Sequence, residues 1–102
     1  MVKWKVMQSI LQDRKYCYLT GSTEQLNRHE IFFGQKNRQV SLDNGFWVWL
    51  RWDRHIADSP LPTPHNNREV DLMLKRECQA KYEETHSRES FLKLIGRNYL
   101  EV

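Results

Sequence analysis

The residues of this chain whose chemistry is most suggestive are its histidines, His29, His55, His65 and His86. A neutral imidazole is a common metal ligand, and it also takes up or releases a proton near neutral pH. His86 falls between two predicted helices, so we interpret it as a surface or capping residue. The other three belong to a predicted strand, a strand end and the end of a proline-rich loop. If the fold brings these three together, they could hold a metal ion; the alternative for each of them is an ordinary hydrogen-bonded or exposed histidine.

Basic residues accompany the three candidate histidines along the chain: Lys36, Arg38, Arg51, Arg54 and Arg68. The chain holds 16 Lys and Arg against 13 Asp and Glu, which gives a net charge of +3. A basic rim around a histidine cluster suits phosphate binding, because each neutralised phosphate also releases counterions. The pattern therefore predicts a nucleic-acid-binding surface, and the alternative interpretation is an ordinary solvated face.

Length and composition limit the class of protein. A chain of 102 residues fits one domain, 1–102, because two half-sized cores would each be too small to be stable. Cys17 and Cys78 are too few for a disulfide framework, which predicts reduced thiols and a cytoplasmic location. The apolar run Phe46–Leu50 is far too short to span a membrane, and the first residues lack the apolar segment of a signal peptide.

The first half of the chain predicts short strands, at Tyr16–Thr20, Leu26–Phe33 and Phe46–Trp52. The first two are separated by a short polar stretch, so we expect them to pair as a β-hairpin. The third is almost unbroken in its apolar character, which indicates burial on both faces. Between the second and third strands, Asn37–Asn44 predicts a short helix or turn that stops at Gly45.

The second half of the chain predicts helices. A loop at 58–64, which holds all three prolines, precedes them and can be neither helix nor central strand. Apolar residues then recur every four positions, which predicts a helix from about Arg68 to about Thr85 with Asn67 as its N-cap. A second helix is expected between Ser87 and Gly96. The predicted fold class is α+β, with a small β-hairpin and short strands covered by two C-terminal helices.

Several short motifs follow one another along the chain: Cys17-Tyr18-Leu19-Thr20-Gly21, Leu26-Asn27-Arg28-His29-Glu30-Ile31-Phe32-Phe33-Gly34, Asn37-Arg38, Trp47-Val48-Trp49-Leu50-Arg51, Asp53-Arg54-His55, His65-Asn66-Asn67 and the tail from Phe91 to Leu100. This ordered series resembles small HNH-like proteins encoded by phages and prophages, and the resemblance runs from about Ser9 to Leu100. It implies a ββα-metal fold, in which one divalent cation lies between a β-hairpin and a helix. It also implies a metal-dependent endonuclease activity.

The resemblance implies roles for single residues. His29 matches the metal-ligand position of the first motif, and Glu30 matches the position of the general base. The later Asn and His elements are matched by His55, by His65 and by Asn66 or Asn67, and which of them align stays open. The implied cation, Mg²⁺, Mn²⁺ or Ni²⁺, would neutralise the scissile phosphate while the base takes a proton from water.

Two departures from the HNH pattern bear on activity and metal content. Many relatives have His where this chain has Glu30, and a carboxylate is a weaker base because its pKa lies about 2 units below that of imidazole. Thr20 and Arg51 stand where zinc-containing relatives have Cys. A structural zinc is therefore not expected.

The sequence leaves several functions open. The first is a nuclease or nickase that acts on phage or host DNA in the cytoplasm of a bacterial host. The second is a catalytically inactive, nuclease-like binding protein, such as an anti-CRISPR or other anti-defence inhibitor, whose partner is a host defence protein complex. A third is a structural module that assembles with copies of itself, and the oligomeric state stays open. The tryptophans, Trp4, Trp47, Trp49 and Trp52, offer rings for base stacking, although their strand spacing favours packing.

Overall fold

The computed structural model describes residues 6–100. Within this range the elements follow in the order β1 (Leu26–Glu30), α1 (Asn37–Asn44), β2 (Trp47–Arg51), α2 (Arg68–Glu83) and α3 (Arg88–Ile95). A 3₁₀ turn at Trp52–Arg54 follows β2 directly. The predicted α+β class is confirmed, with a two-stranded antiparallel hairpin and three α-helices in the described residues.

The hairpin sets the register on which the site depends. β1 and β2 run antiparallel, with Leu26 opposite Arg51 and His29 opposite Val48. Directly opposed residues point to the same side of a sheet, so His29 shares its face with the fully buried Val48.

The connection between the strands contains α1, which ends at Gly45 as predicted. A Cβ there would lie 2.2 Å from the carbonyl oxygen of Gln8, and φ is +73°, so glycine is required.

An aromatic core joins the hairpin to the helices. The ring centroid of Phe32 lies 5.6 Å from those of Phe46 and Phe91, and all three residues are buried. Leu74 and Cys78, one turn apart on α2, complete this core from the other side. The four-residue apolar spacing that predicts α2 therefore corresponds to its core-facing stripe.

Both C-terminal helices begin and end close to the predicted positions. The Asn67 side-chain oxygen accepts the Val70 N–H at 3.1 Å, and Ser87 Oγ accepts the Ser90 N–H at 3.0 Å. Gly96 ends α3 in the left-handed conformation. No helix within residues 6–100 is long and apolar enough to cross a membrane.

The predicted strand Tyr16–Thr20 is wrong, because this segment forms a turn. Its backbone closes on itself, with the Gly21 N–H donating to the Cys17 oxygen and the Cys17 N–H to the Ser22 oxygen, each at 2.7 Å. Ser22 N–H also donates to Thr20 Oγ1 at 3.3 Å. Such local bonds from Ser and Thr compete with strand ladders. The predicted hairpin between this segment and β1 is accordingly wrong, and β2 is the partner of β1.

The other two strands are shorter than predicted. β1 ends at Glu30, because Ser41 Oγ binds both the N–H of Phe32 at 3.1 Å and its carbonyl oxygen at 2.6 Å. The chain bends there and turns Phe33 outward, while Phe32 points into the core. β2 covers Trp47–Arg51 and passes into the 3₁₀ turn at Trp52.

The tryptophans mostly pack, as their spacing favours. Trp47 is buried, and its Nε1 donates to the carbonyl oxygen of Met7 at 2.7 Å. Trp49 is half-buried, with the Lys15 Nζ 4.4 Å from its ring centroid. Trp52 is 40% exposed. Trp4 lies outside the described residues.

Candidate metal centre

Three histidines from distant parts of the sequence meet in space. His29, His55 and His65 each offer one ring nitrogen, and these atoms all lie within 4.8 Å of one another. The ring centroids are 5.1 to 5.2 Å apart. Two nitrogens bound to one ion at about 2.1 Å lie up to about 4.2 Å apart, so small ring rotations would bring all three onto one cation.

The hairpin and the turn after it position two of the three histidines. His29 is the fourth residue of β1, on the face that joins the core. His55 ends the 3₁₀ turn that follows β2, where its backbone N–H donates to the Trp52 oxygen at 3.1 Å. Because β1 and β2 pair in one register, the end of β1 and the turn after β2 keep a fixed relation to each other.

Asn66 closes the proline-rich loop and thereby positions His65. Its side-chain oxygen accepts the Thr63 N–H at 2.8 Å. Its amide nitrogen lies 3.0 to 3.3 Å from three loop carbonyl oxygens, those of Ala57, Ser59 and Leu61. These bonds from one side chain fix the end of a stiff loop, and they therefore hold the neighbouring His65 in a defined position.

Burial disfavours the charged forms of two of the three histidines, His29 and His55. His29 is 1% exposed, and burial lowers its pKa to about 3, with further lowering by the nearby cationic forms of His55 and His65 and by Lys75. Burial also lowers the pKa of His55, and His65 adds to that effect while Glu30 opposes it. Neutral imidazoles keep the lone pairs that a metal ligand requires.

One ring nitrogen of the cluster has no partner. Nε2 of His29 is buried and forms no hydrogen bond within the described residues. Buried polar atoms are nearly always hydrogen-bonded, so an exception calls for an explanation. A bound cation would supply the missing partner.

Asn27 orients the ring of His55. Asn27 lies two residues before His29 on the same face of β1, and its amide nitrogen is 3.3 Å from Nδ1 of His55. With the Asn27 amide turned by 180°, its oxygen would accept the Nδ1–H of His55, which fixes the ring plane and leaves the lone pair of Nε2 for a ligand. Groups of this kind commonly surround metal-bound histidines.

The cluster opens into a cavity of about 440 Å³, lined by Arg28, His29, Glu30, Phe33, Gly34, Gln35, Arg38, His55 and His65. Arg38 Nε donates to the Glu30 carboxylate at 2.7 Å within this cavity. The Glu30 side chain is 15% exposed and that of Arg38 is 70% exposed. The cavity therefore combines the histidine cluster, a carboxylate and the guanidinium of Arg38.

The donor set fits a transition-metal ion better than Mg²⁺. Imidazole nitrogen suits Zn²⁺, Ni²⁺ and similar ions, whereas Mg²⁺ prefers oxygen ligands in octahedral geometry. Three protein ligands would also leave coordination positions open. Cys17 and Cys78 are both buried in the core cluster and do not contribute to the histidine site.

The remaining predicted residues have other contacts. Asn67 uses its side-chain oxygen to cap α2, so its role as a ligand stays a prediction. Arg51 pairs with Asp53 at 3.4 Å, and Arg54 Nε donates to the Pro62 oxygen at 3.0 Å. Lys36 and Arg68 are exposed, but they do not line the cavity. Of the five predicted basic residues, Arg38 alone lines it.

Three residues near the site escape sequence reasoning. Arg28 lines the cavity from β1, and its neighbour His29 gives the sequence signal that could have pointed to it. Phe33 belongs to the predicted strand Leu26–Phe33, yet β1 ends at Glu30 and Phe33 is exposed at the cavity. Lys75 of α2 contributes charge near His29, and its distance in sequence offers no signal.

No family model, curated protein or solved structure matches this chain.

Proposed function

We propose that this protein is a metal-dependent phosphodiesterase of the nuclease type that acts on DNA. The observation that carries the proposal is the convergence of His29, His55 and His65 beside a cavity that also holds the guanidinium of Arg38. Imidazoles hold a cation, and guanidinium groups bind phosphate oxygens in a bidentate manner. The presence of both in one cavity supports chemistry on a phosphate ester.

Each functional residue of the cavity has a separate role in the proposed reaction. The three histidines would hold a divalent cation, which supplies Lewis acidity at the phosphate when it is bound. Glu30 accepts a proton from the attacking water, since a carboxylate next to the cluster is within reach of the same cavity. Arg38 is the guanidinium that would bind the phosphate, because that of Arg28 lies over the rings of Trp47 and Trp49, with its Cζ 4.7 and 5.4 Å from their centroids. The Nε of Arg38 also holds the Glu30 carboxylate in place through a hydrogen bond of 2.7 Å.

The arrangement of elements supports the HNH-like interpretation. The cluster draws on β1, on the turn after β2 and on the residue two positions before the N-cap of α2, so it lies between a hairpin and the start of a helix. The HNH pattern implies this order. A phage origin and a location in the bacterial cytoplasm belong to the same proposal.

Plasmid nicking tests the proposal. Supercoiled plasmid is incubated with the protein and Mn²⁺, Ni²⁺, Zn²⁺ or Mg²⁺. His65→Ala removes an exposed member of the cluster, and His86→Ala is the matched control, because His86 lies outside the cavity. We expect the parent and His86→Ala to nick DNA. His65→Ala should lose about 100-fold or more, beyond what a change outside the ligand set usually causes. Equal nicking by His65→Ala would reject the metal site.

The ion pair between Arg38 and Glu30 favours a second function, that of an inactive binding protein. The pair occupies the carboxylate that would serve as base, and a carboxylate is already a weaker base than imidazole. Such a protein would bind DNA or a host defence protein complex without cleaving DNA.

The substitution Glu30→His separates the two functions. Nicking gained by Glu30→His alone would indicate an intact scaffold that lacks only its base. If neither form nicks and a gel shift shows bound DNA, the binding role is favoured. If DNA is not bound either, a protein partner becomes the better candidate.

A further inference from the structure

Phe33 is an exposed aromatic residue in the wall of the histidine cavity. Its neighbours Ile31 and Phe32 are buried, yet Phe33 is 41% exposed. Its ring centroid lies 5.0 Å from that of His65 and 6.0 Å from that of His29. An aromatic surface left open beside a candidate catalytic centre offers a platform for a flat ligand.

The ring of Phe33 is held in place by a cation. Nζ of Lys75 lies 4.7 Å from the ring centroid, and the same amine pairs with Asp71 at 2.8 Å. A cation over one face of the ring fixes its position. Phe33 is thus a supported platform at the cavity.

The rest of the cavity offers polar groups of the kinds that a nucleotide needs. Arg38 brings a guanidinium group for phosphate oxygens, and Gln35 brings an amide that can pair with the edge of a base. The volume of about 440 Å³ lies within the range of pockets that hold a small molecule, roughly 300–1,000 Å³. The space suits one nucleotide rather than a stack of base pairs.

The buried position of the histidine cluster favours a nucleotide whose base is not paired and stacked in a duplex. His29 is 1% exposed, so a phosphate that reaches the three histidines must enter the cavity. In a duplex the adjoining base is held by pairing and stacking. In a single strand, or at an unpaired position, the base is free to turn with its phosphate and to stack on an aromatic side chain.

We propose that the cavity binds an unpaired nucleotide, with its base stacked on Phe33 and its phosphate directed to the histidine cluster and Arg38. The proposal rests on the proposed phosphodiester function and specifies its substrate as single-stranded or locally unpaired DNA. Stacking of this kind tolerates any base, because every base has a π-face.

Fluorescence anisotropy with short oligonucleotides tests the proposal. The ligands are a five-nucleotide thymidine strand, the same strand with abasic sites, and a duplex that contains the same sequence. The abasic strand keeps the phosphates and removes the rings. Each is titrated with the full chain in chelator and again with Ni²⁺. We expect the thymidine strand to bind more tightly than the other two.

Three variants test whether Phe33 provides the ring on which the base stacks. Phe33→Leu keeps an apolar side chain and removes the ring, so affinity for the thymidine strand should fall about 5- to 150-fold, the range measured for loss of one stacked base. Phe33→Tyr keeps the ring and should keep the affinity. Trp52→Leu is the matched control, because Trp52 is 40% exposed and does not line the cavity.

The outcomes separate this proposal from the proposed function. The stacking proposal would be overturned if the abasic strand or the duplex bound as tightly as the thymidine strand, or if no oligonucleotide bound. It would also be overturned if Phe33→Leu had no effect or if Trp52→Leu caused an equal loss. Failure of the metal site is read independently, as absence of Ni²⁺ binding by the parent in calorimetry. The thymidine preference in chelator would survive that failure.

Discussion

His29 combines two features that are unfavourable in a protein without a ligand. Its ring is 1% exposed, and its Nε2 atom has no hydrogen-bond partner in the described residues. An unpaired buried polar atom costs about 1–3 kcal/mol in the free energy of unfolding. Replacement by an apolar residue would remove that cost. The presence of the imidazole therefore fits a function that uses its lone pair.

The lowered pKa of His29 predicts how the stability of the metal-free protein depends on pH. The pKa is about 3 in the folded protein and about 6.5 in the unfolded chain. Between these values the unfolded chain binds a proton that the folded protein does not. The contribution of neutral His29 to the free energy of unfolding is therefore complete above pH 6.5, and it is lost as pH falls toward 3. The slope reaches about 1.4 kcal/mol per pH unit.

Denaturant unfolding in chelator, at about pH 7.5 and about pH 5.5, checks this slope. The variant His29→Gln removes the titrating group, so its free energy of unfolding should fall less between the two conditions than that of the parent. The carboxylates titrate in both proteins and cancel in the comparison. Identical pH dependence in parent and variant would contradict the assignment of the slope to His29.

The helices were predictable from the sequence because their signals are local. Asn67 caps α2, Ser87 caps α3, and Gly96 ends α3, each within one turn of the residues that it affects. The strands were less predictable, because strand pairing joins residues far apart in the chain. The segment Tyr16–Thr20 has a strand-like composition, but the Thr20 side chain and the backbone bonds that join Cys17 to Gly21 and Ser22 stabilise a local turn instead.

Asn67 provides a prediction at the level of helix α2. Asn67→Ala removes the side-chain acceptor of the Val70 N–H, so it should lower the free energy of unfolding by about 1 kcal/mol. Asn67→Ser keeps an acceptor and should cost much less. Because Asn67 is a cap, both variants should bind Ni²⁺ like the parent in calorimetry. A large loss of Ni²⁺ affinity in both would instead assign Asn67 to the metal.

At the scale of the whole molecule, residue type identified the candidate ligands and the fold alone could bring them together. His29, His55 and His65 stand out in the sequence as possible ligands. Their convergence depends on the loop that Asn66 closes and on the pairing of β1 with β2, and the pairing has no local signal. Phe33 was misplaced for the same reason, since the bend after β1 depends on Ser41.

If the three histidines bind one cation, that cation should stabilise the folded chain as a whole. A ligand at 100 times its dissociation constant adds about 2.7 kcal/mol when it binds the folded state alone. For a domain of this size that raises Tm by roughly 10–20 °C. Scanning calorimetry with Ni²⁺ or Zn²⁺ should show this rise for the parent and for His86→Ala. It should be absent in His65→Ala, whose exposed side chain can be removed without opening the core. Mg²⁺ should give a smaller rise, because three imidazoles suit it poorly. An equal rise in His65→Ala would mean that the cation binds elsewhere.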